Sequence, residues 1–90
     1  MEQPSVSAPR AATVAEAATV AGLLDAFNRE YSTLTPGPAV LTTRLRRLLA
    51  GAEVIALLAG GPAAAVALLT LRPHVWYEGP VALLRAVYVA

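Results

Sequence analysis

The chain has 90 residues, of which 57% are hydrophobic and 14% charged, against about 25% charged in an ordinary soluble domain. Its mean hydropathy of +0.58 excludes disorder driven by low hydrophobicity, and its length suffices for one small core but not for two. A net charge of +1, no cysteine and one histidine exclude a field that steers the chain onto nucleic acid, a disulfide framework, a thiolate nucleophile and a Cys- or His-rich metal site. Neither nucleic acid nor metal is therefore expected as a partner.

The chain starts Met1-Glu2-Gln3-Pro4, with no cationic region and no apolar run directly behind it, so no signal peptide is expected and a cytoplasmic location is read. Val6 to Ala11 reads as a short strand that Pro9 confines to an edge or a bulge. Thr13-Val14-Ala15-Glu16 has the spacing of a capping box, and Val20, Leu23, Leu24, Phe27 and Tyr31 then recur at helical spacing as one buried stripe. Ser32 to Pro38 is a proline-restricted loop between two helices. In the second helix Pro38 fits the first turn, Leu41, Leu45, Leu48 and Leu49 form the apolar stripe, and Gly51 stands at the C-terminal cap. Arg44, Arg46 and Arg47 fall on its outer flanks, where they solvate the helix and are not expected to bind phosphate.

The stretch from Val54 to Leu71 carries no charge and is long enough to touch on a membrane span. Gly60-Gly61-Pro62 in its middle would break such a helix, so a hairpin is expected instead, with strands at Glu53 to Ala59 and Ala64 to Arg72 and no membrane partner. Their near-continuous hydrophobicity predicts strands covered on both faces. A loop from Pro73 to Pro80 leads into the last apolar strand, Val81 to Val89, which presents an edge open to another strand, a ligand or aggregation. The fold class is α+β, in the order β-α-α-β-β-β, with two helices and a mostly antiparallel sheet.

That order is joined by particular residues: Arg10-Ala11-Ala12-Thr13, Leu23 to Tyr31, Leu68 to Pro73, Val75-Trp76-Tyr77 and, above all, Leu83-Leu84-Arg85-Ala86-Val87-Tyr88-Val89. Together they resemble the N-terminal half of a GNAT-type N-acetyltransferase. The resemblance implies transfer of an acetyl group from acetyl-CoA, as co-substrate, to a small-molecule or peptide amine. It also implies that the pantetheine arm lies along Val87, Tyr88 and Val89 like an added strand, which suits an edge with unpaired amides.

Two features set the chain apart from that family. The Gly-rich loop that would hold the CoA pyrophosphate does not occur before Ala90, and Arg85-Ala86 stand where many relatives carry a carboxylate, although a guanidinium cannot accept a proton. The expectation is one partial domain over residues 1–90, truncated and inactive on its own, with no catalytic residue assigned. Its partner is then a complementing C-terminal half, or a second copy forming a homodimer. The alternative function is a non-catalytic interaction module that pairs through residues 81–89.

Several residues admit two readings. Tyr31 and Phe27 form a wall of the amine pocket or complete the helix stripe. Trp76 and Tyr77 stack on a substrate or pin their loop to the core. His74, alone near them, makes no catalytic constellation, and Gly60-Gly61 serve a tight turn rather than a phosphate loop.

Overall fold

A computed structural model describes residues 8–90. Strand β1 (Arg10–Ala11) and a single 3-10 turn (Val14–Glu16) precede helix α1 (Ala17–Glu30), and α2 (Pro38–Ala50) follows it. Strands β2 (Val54–Gly60), β3 (Ala63–Arg72) and β4 (Val81–Val89) complete an antiparallel sheet of order β1-β2-β3-β4. This is the expected α+β order. Of the strand expected over Val6 to Ala11, only its end is β1, and Val6 and Ser7 lie outside the described residues.

Capping begins where the sequence placed it, but it closes a 3-10 turn and α1 starts one residue after it. The Thr13 N–H donates to Glu16 Oε1 at 3.1 Å, and Arg10 Nη2 donates to Glu16 Oε2 at 3.1 Å, so the carboxylate ties the helix start to β1. The Thr13 amide first, and Arg10 after it, hold the Glu16 carboxyl below its usual range. Ala17, Val20, Ala21 and Leu24 face inward and form the core with Leu45, Ala56, Leu58 and Val66.

Two expected stripe residues lie elsewhere. Tyr31 is 66% exposed, because α1 ends at Glu30 and Ser32 turns the chain away at φ 55° before the stripe is completed. Leu48 is exposed as well: three residues on from buried Leu45, it lies about 60° round α2, at the margin of the packed face. Gly51 caps α2 in extended backbone by donating its N–H to the Leu48 carbonyl at 3.1 Å.

Val54 to Leu71 folds as the hairpin and not as a helix, and among the described residues no helix is long and apolar enough to cross a membrane. Gly60 makes its turn at φ 99°, and a Cβ there would stand 2.8 Å from the Pro62 carbonyl oxygen, so only glycine fits.

Side chains alternate across the sheet, and the register sorts them. Ala56, Leu58, Val66, Leu68, Ala86 and Tyr88 share the face beneath the helices. Ile55, Leu57, Ala67, Leu69, Leu84 and Val87 share the other, which carries no layer among the described residues. The expectation of strands covered on both faces is thus corrected. The apolar residues on the second face record what the sheet is fit to touch, while these residues supply a cover for the first face only.

Candidate functional site

Strand β4 pairs with β3 along one margin and presents the other to solvent, as expected of an edge strand. Its only charged residue is Arg85, so little on the edge discourages another strand or an extended ligand. The register slips between Leu68 and Leu69: Leu68 faces Ala86 and Leu69 faces Leu84, which leaves Arg85 as the extra residue of a β-bulge. The Arg85 Nε donates to Thr70 Oγ1 at 3.0 Å, so the guanidinium is held back across β3 rather than out along the edge.

The direction of each β4 amide follows from one bond. The Ala90 N–H donates to the Ala64 carbonyl at 2.7 Å, which makes Ala64 and Ala90 a hydrogen-bonded pair. Bonded and non-bonded pairs alternate in an antiparallel ladder, so Val66 and Tyr88 are bonded, and the N–H and C=O groups of Val87 and Val89 face outward. Within the tripeptide singled out from the sequence, the main chain is free at Val87 and Val89, and Tyr88 presents its side chain instead. Two outward amide groups spaced along an edge segment with no charged residue after Arg85 suit an extended carrier that itself contains amides.

The Tyr88 ring lies under the C-terminal end of α1. Phe27 meets it edge-on with centroids 5.5 Å apart, and stacks at a tilt on Tyr31 at 5.2 Å. The Glu30 carboxylate beside the Tyr88 hydroxyl, with burial second, pushes that phenol above its ordinary value. The structure therefore joins Tyr31 to Tyr88 through Phe27, with Glu30 at the margin. The sequence reading passed over Glu30 because nothing in the spacing shows that the end of α1 and the end of β4 meet.

Trp76 and Tyr77 stand elsewhere. Their loop leads into the start of β4, whose length at ~3.3 Å per residue separates it from Val89 by about 26 Å. They are 81% and 65% exposed, so neither ring is pinned to the core and neither shares a wall with Tyr31. His74 organises that loop: its Nδ1 accepts the Trp76 N–H at 3.2 Å, and its ring lies 5.0 Å from that of Tyr77. An open cleft of about 490 Å³ lies at this same end, between Glu53, Thr70, Arg72 and Pro73. Arg44, Arg46 and Arg47 are exposed on α2, as expected.

Another feature missed in the sequence fixes the loop after α1. Asp25, buried within the apolar stripe, accepts the Thr35 hydroxyl at 2.6 Å and Arg29 Nε at 2.7 Å. The Thr35 hydroxyl first, and Arg29 second, hold its carboxyl below the usual range. The available signal was an aspartate at an inward helical position with an arginine four residues on.

No family model matches the chain, and no curated protein matches it. Among solved structures, it matches a protein called a "putative acetyltransferase" from Arthrobacter sp. FB24 with 51% identity and a TM-score of 0.89, over 100% of this chain and 58% of that one. It also matches a "possible acetyltransferase" from Clostridium difficile 630 with 19% identity and a TM-score of 0.81, over 94% of this chain and 58% of that one, a likeness of fold alone. The resemblance to GNAT-type acetyltransferases drawn from the sequence holds, and this chain spans about three fifths of the length of each structure it matches.

Proposed function

We propose that residues 1–90 form part of a GNAT-type N-acetyltransferase domain that uses acetyl-CoA to acetylate an amine. The observation that carries this reading is the β4 edge: a strand whose one charged residue, Arg85, stands in a bulge and is held back on Thr70, with outward amides at Val87 and Val89, in a fold shared at 51% identity with the Arthrobacter protein. In this reading the pantetheine arm bonds to those two amides, and Tyr31, resting on Phe27, walls the acceptor's approach. The amine nitrogen attacks the thioester carbonyl, a C–N bond forms as the C–S bond breaks, the amine gives up a proton and the CoA thiolate takes one. Among residues 84–89 there is no carboxylate to accept that proton. Trp76 and Tyr77, at the opposite end of β4, would meet only a long acceptor such as a peptide. A cytoplasmic location accords with that co-substrate.

The anionic end of CoA has no Gly-rich loop to receive it within these residues, so tight binding and turnover are assigned to this chain together with a complementing C-terminal portion. Calorimetry with acetyl-CoA tests this, with and without a polypeptide matching the remainder of the Arthrobacter chain. Binding that appears or tightens on complementation supports the reading, and absence of binding in both cases refutes it.

A second reading rests on the bare sheet face, where Leu84, Val87 and Val89 are 62%, 53% and 71% exposed. These residues, continuous with the open edge, suit a non-catalytic module that pairs through residues 81–89 with a second copy of itself. Concentration-dependent dimers that do not bind acetyl-CoA would favour it.

A further inference from the structure

Two arginines on the β3–β4 ladder carry charge that the fold leaves unanswered. Leu84 and Val87 lie on the bare face of the sheet, so the two residues between them, Arg85 and Ala86, both point to the helix side. Thr70 and Arg72 alternate with Leu69 and Leu71 and point the same way, about 7 Å apart at ~3.3 Å per residue. The helices do not cover this corner: Arg72 and Arg85 are exposed, and so is Leu83, the partner of Thr70 across the ladder. Neither arginine has an ion-pair partner among the described residues, where the paired carboxylates serve Arg10 and Arg29. The Glu53 carbonyl accepts the Leu71 N–H at 2.7 Å, so Glu53 stands opposite Leu71, across the sheet from both guanidinium groups. Like charges on one face repel, and packing gains nothing from holding them there.

We propose that Arg85, Arg72 and Thr70 form a receptor for an oxyanion, the phosphate or carboxylate group of a ligand that approaches from the helix side of the sheet. The Arg85 Nε donates to Thr70 Oγ1 at 3.0 Å. That bond takes one of the five N–H donors of the guanidinium and fixes the plane of the group, so the Nη1 and Nη2 fork stays free and already oriented. The Thr70 hydroxyl accepts that bond and keeps its own proton to donate. Arg72 adds a second charge on the same face, and with Thr70 it lines the open cleft of about 490 Å³ at this end of the sheet. A fixed fork, a hydroxyl donor and a second guanidinium match a group with several oxygens and a negative charge, and they give a neutral or cationic ligand nothing to bind. The site does not depend on the transferase reading, since none of its groups belongs to the Val87 and Val89 amides.

The test uses the 90-residue chain without acetyl-CoA, titrated at constant ionic strength with inorganic phosphate, acetate and chloride, and followed by the arginine Nε–H NMR signals. Phosphate is expected to saturate the Arg85 and Arg72 signals and to bind about fivefold tighter than acetate, with chloride giving no saturable shift. Arg85→Gln should weaken phosphate by about five- to tenfold, and Arg72→Gln by about threefold. Arg85→Lys keeps the charge but loses the fork, and Thr70→Val keeps both charges but frees the guanidinium to swing, so each should cost about threefold. Arg46→Gln, which removes the same charge from the exposed side of α2, should leave binding unchanged. Arg46, Arg72 and Arg85 are exposed, so their variants keep the wild-type circular dichroism. Phosphate over acetate identifies a phosphate ester as the ligand and the reverse order a carboxylate, and either supports the receptor. No saturable binding of either anion, shifts that chloride reproduces, an Arg85→Lys variant that binds like wild type, or an equal loss in Arg46→Gln overturns the proposal.

Discussion

Replacing Val87 by proline separates the two margins of β4. A proline fits a strand only where the lost N–H faced away from the ladder, and the alternation fixed by the Ala90–Ala64 bond puts the Val87 N–H on the open side. Val87→Pro therefore removes no bond to β3, takes away a side chain already 53% exposed, and should lower the Tm by no more than about 5 °C. Tyr88→Pro is the internal comparison. It removes the donor to the carbonyl of Val66, a residue only 2% exposed, and an unpaired buried carbonyl costs about 1–3 kcal/mol beyond the lost bond. At roughly 4–8 °C per kcal/mol for a domain of this size, the second variant should melt at least about 10 °C lower. For the carrier the order reverses in kind: Val87→Pro deletes a docking donor worth about 1–1.5 kcal/mol, which weakens acetyl-CoA by about tenfold. Thermal melts by circular dichroism and acetyl-CoA calorimetry on the complemented chain read both effects. If Val87→Pro melts as low as Tyr88→Pro, or binds acetyl-CoA like wild type, the assignment of outward amides is wrong.

Leu58 is fully buried in the core between the sheet and the helices, so Leu58→Ala should destabilise the chain by about 3 kcal/mol in urea titration, and a loss under about 1 kcal/mol would mean that the core is not closed over β2. The lowered carboxyl of Asp25 stabilises the fold fully above the ordinary aspartate range and loses that contribution as pH falls through the depressed value. The Tm should accordingly fall in acid, below about pH 4, and fall less in Asp25→Asn; parallel curves for the two proteins would contradict the Thr35 and Arg29 contacts. Thr13→Ala, which removes the start of the capping box, should lower stability by about 1 kcal/mol, and no change would show that the Glu16 contacts alone hold the helix start.

Periodic and punctuating residues made the elements legible. The Thr13–Glu16 spacing, Pro38 at a helix start and Gly60-Gly61 between two aliphatic runs each act within a few residues, and each element stands close to where those signals place it. The margins of the helix stripes were harder to read. Tyr31 and Leu48 keep helical spacing, yet whether a flank residue is buried depends on how far the helix runs and what lies over it. Sheet coverage failed for a related reason, since alanine and leucine on both faces describe a sheet suited to two layers without saying which residues provide the second. At the site, the tripeptide Val87-Tyr88-Val89 was visible as sequence, but the division of labour within it follows from the pairing of Ala64 with Ala90. The meeting of Glu30 with Tyr88 joins positions far apart in the chain, and no local pattern carries it.

Amide hydrogen exchange along β4, measured residue by residue with and without acetyl-CoA in the complemented chain, probes the strand-docking claim most directly. Slow exchange at Tyr88, fast exchange at Val87 and Val89, and slowing of those two when acetyl-CoA is added are the predicted pattern. Protection of Val87 and Val89 equal to that of Tyr88 before any ligand, or no response to acetyl-CoA, would contradict it.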